Sequence, residues 1–216
     1  MHLLIFDLDG TLVDSKQDLI DSVNATRGYM NLSPLPGDLV AKYVGRGALA
    51  LVRSALGESA PESDIERAHA FFIKHYGEHM LDKTVLYPGV REALDQLRGQ
   101  GHTLAVLTNK PVKFSERMMA QLGLKQHFIR IYGGNSFEPK KKPDPVGIHA
   151  LLDETSIPKQ RTIMVGDSSV DIRTARNAGV RACGCSWGFQ PETFVAEPPD
   201  FLIDHMGQLV DRVSGD

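Results

Sequence analysis

The 216-residue sequence contains no window approaching the ~18 consecutive apolar residues of a membrane span. Only a few apolar residues precede Asp7, too few for the apolar stretch of a secretory signal, so a cytoplasmic protein is expected. A charge excess is also missing. Lys and Arg number 24 against 27 Asp and Glu, a formal net charge of -3, and neither nucleic acid nor an anionic membrane is expected as the main partner. Cysteine is scarce: Cys183 and Cys185 lie two apart in an apolar stretch. They are expected to be buried free thiols on opposite faces of a strand, neither a metal pair nor a disulfide. No internal repeat or low-complexity tract appears, and the one run of like charge is Lys140 to Lys142.

What remains is an ordinary globular composition, 42% hydrophobic and 24% charged, with enough chain for a substantial core. Four stretches share one form, a short apolar run ending on a polar residue and a turn: LLIFD (3–7), TLAVLTN (103–109), FIRIYGGN (128–135) and TIMVGD (162–167). Amphipathic helical stretches such as VREALDQLRGQG (90–101), FSERMMAQLGL (114–124) and PVGIHALLDET (145–155) lie between them. Strands alternating with helices predict an α/β protein, a doubly wound, Rossmann-like parallel sheet buried on both faces. Further strands are expected at VRACGCSW (180–187) and DFLID (200–204).

From Asp18 to about Lys83 the pattern is helical with no convincing strand. DLIDSVNATRGYM (18–30), DLVAKYVGRGALALVRSAL (38–56) and ESDIERAHAFFIKHYGEHML (62–81) are predicted as three helices, broken at SPLPG and GESAP. That is too much chain for one crossover. Residues 15–87 are therefore expected to form a helical cap inserted into a core of residues 1–14 and 88–216.

Ligands of an open parallel sheet bind outside the carboxyl ends of its strands. Each run places its polar residue there: Asp7 and Asp9, then Thr108 and Asn109, then the loop holding Lys142, then Asp167 and Asp171. Two carboxylates ~4 Å apart repel by roughly 4 kcal/mol at an effective dielectric near 20. Such a rim requires a divalent cation or a shared proton. Oxygen ligands without His or Cys favour a hard ion, and few carboxylates plus water suit Mg²⁺ better than Ca²⁺.

These residues resemble the haloacid dehalogenase superfamily, specifically its phosphatases with a helical cap after the first motif. DLDGT (7–11) matches the family's D-x-D-G-T, LTN (107–109) its apolar strand ending in Thr or Ser, KPDP (142–145) its K-P-x-P, and GDSSVD (166–171) its G-D-x-x-x-D. The order and spacing fit over essentially the whole chain. The resemblance implies Asp7 as a nucleophile that forms an aspartyl-phosphate, and Asp9 as general acid and then base. It implies Lys142 as the balancing cation, and Thr108 with backbone N–H groups near Asn109 and Leu8 as the cradle of the phosphoryl oxygens. Asp167 would hold Mg²⁺ with Asp7 and the Asp9 carbonyl, with Asp171 acting directly or through water.

T-N-K (108–110) and Y-P-G (87–89) look most like the phosphoglycolate phosphatases of that superfamily. Hydrolysis of 2-phosphoglycolate or a similarly small phosphorylated metabolite is the leading expectation. A sugar phosphomutase, a nucleotidase or pyrophosphatase of the same fold, and a non-catalytic phosphate-binding protein remain as alternatives. Among individual residues, Asp171 equally suits the start of the helix DIRTARNAG (171–179). Arg46, in VGRG (44–47), either turns toward the rim to meet a substrate carboxylate or stands exposed at a helix start.

Overall fold

A computed structural model describes residues 1–214. The chain opens with β1 (Leu3–Phe6) and a two-residue strand, β2 (Val13–Asp14). Four helices follow, α1 (Lys16–Tyr29), α2 (Gly37–Ala41), α3 (Ala48–Leu56) and α4 (Glu62–His79), and then β3 (Val85–Leu86). Next come α5 (Val90–Gly99), β4 (Thr103–Leu107), α6 (Val112–Gln121), β5 (Arg130–Tyr132) and α7 (Val146–Thr155). The remainder is β6 (Thr162–Gly166), α8 (Ser169–Ala178), β7 (Arg181–Cys185), β8 (Phe201–Ile203) and α9 (Gly207–Ser214). No described helix is long and apolar enough to cross a membrane.

Six strands form one parallel sheet in the order β5-β4-β1-β6-β7-β8. The first strand lies inside it, and its four residues are wholly buried because each face is covered. Leu4 and Phe6 join one apolar cluster while Leu3 and Ile5 join the other, the two-residue period of a strand. The second cluster is closed by residues of α7 and α8, such as Ile148, Leu151, Ile172 and Ala175. The first is larger and continues without a break into the helical segment, through Leu19, Val52, Phe72 and Tyr76.

The same period corrects one expectation. Cys183 and Cys185 are free and buried, but both belong to the cluster of Leu4 and Phe6, while Ala182 beside them joins the other. Residues two apart on a strand share a face. Burial lifts both thiols above their ordinary range, which keeps them protonated and inert.

The helical segment differs from the sequence pattern in one place. Residues 38–56 are not a single helix: α2 and α3 are separated by a turn in which Gly45 and Gly47 take φ of +99° and +91°. Both glycines sit at positions that side chains rarely tolerate. The segment joins the sheet through two short strands paired antiparallel, Val13 with Leu86 and Asp14 with Val85. A buried carboxylate fastens this junction. Asp18 accepts from Lys83 N at 3.0 Å, from Thr84 N at 2.8 Å and from Thr84 Oγ1 at 2.7 Å, so the first turn of α1 is tied to the residues that lead into β3.

Candidate active site

The carboxyl edge of the sheet delivers the site. Beyond β1 the Asp7 N–H still donates to Val165 O, so Asp7 is held in register with the neighbouring strand. The chain then turns sharply, with the N–H groups of Thr11, Leu12 and Val13 all donating to Leu8 O. Gly10 makes that turn possible. Its φ is +81°, and a Cβ there would lie 2.2 Å from Asp167 Oδ2. Two strands are thereby packed backbone against side chain, which brings Asp7 and Asp167 to one point.

Three buried carboxylates converge there. Oxygens of Asp7, Asp167 and Asp171 all lie within 4.8 Å of one another. Lys142 Nζ stands 2.9 Å from Asp7 Oδ1 and 2.6 Å from Asp171 Oδ1. Asp171 also completes the capping box of α8 with the N-cap residue Ser168: its Oδ2 accepts from the Ser168 N–H at 3.2 Å and the Ser168 hydroxyl at 2.9 Å, so one carboxylate serves both the helix's first turn and the site. Asp167 Oδ2 accepts from Phe189 N at 2.7 Å.

The electrostatics follow from crowding. Burial, with Asp171 and Asp9 nearby, outweighs the pull of Lys142 and pushes the Asp7 carboxyl up to about 6. Asp167 is raised well above the carboxylate range by burial and then by Asp171 and Asp7. Burial works against the charge of Lys142, yet Asp171 and Asp7 overcome it and hold the ammonium above its ordinary range. One lysine therefore does not neutralise three carboxylates. Three carboxylates sharing one ammonium make an all-oxygen donor set with negative charge left over, which fits a hard divalent cation.

Asp9 faces a second lysine. Lys110 Nζ lies 2.7 Å from Asp9 Oδ1 and 2.9 Å from Oδ2, and donates to the Tyr76 hydroxyl at 2.6 Å. Ser15, beside the junction strands, also donates to Asp9. Asp7, Asp9, Thr108, Asn109 and Lys110 line a cavity of about 40 Å³, enough for about three water molecules. Its remaining wall comes mainly from the helical segment, with Leu19, Leu51, Phe72 and Tyr76, and from Phe114.

Three side chains of the sheet region hold α2 and the turn that follows it by their carbonyls. Asn109 Nδ2 donates to Gly45 O at 2.8 Å and to Lys142 O at 2.9 Å. Lys141 Nζ donates to Arg46 O at 3.0 Å, and Gln190 Nε2 to Ala41 O at 3.0 Å and Val44 O at 2.9 Å. Gly47 allows this close approach, since a Cβ there would meet Asn109 O at 3.2 Å.

Of the residues singled out from the sequence, Asp7, Lys142, Asp167 and Asp171 form the cluster, and Asp9, Thr108 and Asn109 share the cavity with Asp7. The Asp9 carboxylate is turned to Lys110 and is not one of the three that converge. Leu8 buries its side chain in the core, so only its backbone can serve the site. Of the two readings of Arg46 the structure shows the exposed one: its side chain does not line the cavity, and the turn presents its carbonyl inward to Lys141. Lys110, Tyr76, Lys141 and Gln190 were not anticipated. Only the Lys of T-N-K could have drawn attention, as the residue that follows two of the expected ones.

Comparison with known proteins finds relatives over nearly the whole chain. The family described as haloacid dehalogenase-like hydrolase matches residues 4–185. A phosphoglycolate phosphatase of Vibrio vulnificus (strain CMCP6) is 41% identical over 223 residues, covering 99% of this chain and 96% of that protein. One from Agrobacterium fabrum (strain C58 / ATCC 33970) is 39% identical over 210 residues, covering 96% and 90%. A crystal structure described as a predicted phosphoglycolate phosphatase from Haemophilus somnus 129pt superposes with a TM-score of 0.93 at 31% identity, over 99% of this chain and 98% of that one.

Proposed function

The chain belongs to the haloacid dehalogenase-like hydrolase family, and from that premise we propose that it is a Mg²⁺-dependent phosphomonoester hydrolase acting on 2-phosphoglycolate or an ester of similar size. One observation carries the reading: three buried carboxylates converge within 4.8 Å beside a single buried lysine at a sheet's carboxyl edge. An arrangement that repels itself is relieved by a divalent cation, and at a sheet's carboxyl edge it suits an anionic substrate.

Asp7 attacks phosphorus, the bond to the ester oxygen breaks, and an aspartyl-phosphate is left on Asp7. Asp9 gives its proton to the departing oxygen, then takes one from the water that hydrolyses the acyl phosphate. Lys142 lies against Asp7 and balances charge on nucleophile and phosphoryl oxygens alike. Thr108 and the backbone at Asn109 orient those oxygens. Asp7, Asp167 and the Asp9 carbonyl would hold Mg²⁺, with Asp171 directly or through water, and the ion supplies further neutralisation of the transferring group.

Leu19, Leu51, Phe72 and Phe114 close the wall beside Asp7 and Asp9, which suits a small leaving group. The relatives at 41% and 39% identity, both phosphoglycolate phosphatases, support the same substrate. A phosphate-release screen across 2-phosphoglycolate, pyrophosphate, nucleoside monophosphates and hexose phosphates, with Mg²⁺ and with chelator, tests the reading. Fastest turnover of 2-phosphoglycolate is expected, and full activity in chelator would remove the metal from the scheme.

A further inference from the structure

Lys110 is nearly as buried as Lys142, at 6% against 4% exposure, yet no step above uses it. Its ammonium reaches both oxygens of Asp9 and the hydroxyl of Tyr76, and all three residues line the cavity. Among the described residues lining that cavity Lys110 is the sole cation. Around it the wall is apolar, with Leu19, Leu51, Phe72 and Phe114. A carboxylate entering such a wall loses its hydration and persists only beside buried donors. Lys110 and Tyr76 are those donors. The Tyr76 hydroxyl accepts from Lys110 and keeps its own proton to give, which burial holds on the phenol well above the ordinary range.

Building on the phosphatase reading, we propose that Lys110 and Tyr76 receive the anionic end of the leaving group, and that the incoming carboxylate takes the place Asp9 now holds on Lys110. Asp9 is thereby freed toward the leaving oxygen, its other contact being the Ser15 hydroxyl. One carboxylate replaces another on the same ammonium, so the pairing of that ammonium is conserved and no covalent bond changes. A neutral leaving group offers Lys110 nothing and leaves Asp9 held. Selectivity for a carboxylated ester therefore appears in kcat as well as in KM, because binding at the remote end drives a change at the reacting centre.

The test compares 2-phosphoglycolate with 2-hydroxyethyl phosphate, which replaces the carboxylate by a neutral alcohol of similar size. Both kcat and KM are measured with Mg²⁺ for the full-length protein and for Lys110→Met and Tyr76→Phe. The unaltered protein is expected to favour the carboxylated ester by about 10- to 100-fold in kcat/KM, part of it in kcat. Lys110→Met should bring that ratio to about one, and Tyr76→Phe should lower it by about threefold.

Equal kcat/KM on the two esters overturns the inference and leaves the phosphatase reading standing. Phosphate release from no ester at all removes both. A Lys110→Met protein that is slow on both esters but keeps the original ratio reduces Lys110 to structural support, which also overturns it. Discrimination confined to KM sinks the release of Asp9. Should Lys110→Met fail to fold, an unchanged ratio in Tyr76→Phe overturns the inference in its place, and a lowered ratio supports it.

Discussion

At the sheet's carboxyl edge the charged atoms are side chains set by strand ends, whereas the helical segment meets that edge with backbone carbonyls and an apolar wall. Asp7 and Asp167 follow β1 and β6, whose register is fixed by a buried parallel ladder, and Lys142, on the loop after β5, is held by its contacts to Asp7 and Asp171. The helical segment is held to them by Asn109, Lys141 and Gln190, each donating to its carbonyls. A rigid ladder suits groups that must stay within tenths of an ångström, and hydrogen bonds to one turn suit a part that excludes water and shapes the cavity. The difference teaches that one continuous core can present charged side chains from its strand ends and an apolar wall from its helical segment to the same cavity.

Substitutions can break that division or sharpen it. Asp7→Asn should lower steady-state phosphate release by on the order of 10⁴-fold or more on every ester, since a residue acting as part of a unit removes nearly all of its effect. Parental turnover in that variant would dismantle the core's role. Chelation should cost at least about 10²-fold, the equivalent of several kcal/mol of charge stabilisation, and added Mg²⁺ should restore it. Activity indifferent to chelator would move the neutralisation to Lys142 alone.

A smaller effect concerns stability. The folded state raises Asp7 from its ordinary 3.8 to about 6, so it holds its proton more tightly folded than unfolded. Its contribution is fully present below about pH 4 and is lost as pH rises through about 6. Metal-free Asp7→Asn should then be more stable than its parent at pH 7.5 by about 3 kcal/mol, with the gap closing toward pH 4 in thermal unfolding. Lys142 keeps its 2.6 Å partner Asp171 in that variant. A gap independent of pH would mean that crowding at the site does not raise Asp7. Least of all, Gln190→Ala removes two hydrogen bonds to the helical segment and should change kcat/KM by about two- to tenfold, read mainly in KM. A loss as large as that of Asp7→Asn would erase the distinction between the two regions.

Much of this was legible along the chain. Strands β1, β4 and β6 end within one or two residues of the expected limits, because a fully buried parallel strand is continuous apolar sequence and its end is marked by the first polar group. The carboxylates followed from those ends. The break inside residues 38–56 was hidden because apolar spacing on either side suits one helix, while two glycines at positive φ separate them. Asp9 and Lys110 lie 101 residues apart, and Tyr76 lies 34 from Lys110, distances at which no local pattern operates. The sequence left Arg46 open between an inward and an exposed side chain, and the turn it occupies is gripped by its carbonyl.

Periodicity and the placement of acids at strand ends determined, from the sequence by itself, a parallel sheet with a carboxylate-rich edge, since both follow from chemistry between near neighbours. Which lysine answers which aspartate, and what walls the cavity, was decided only by the tertiary structure. Those pairings depend on close packing between segments remote in the chain, where geometry selects one contact among many that charge alone would allow.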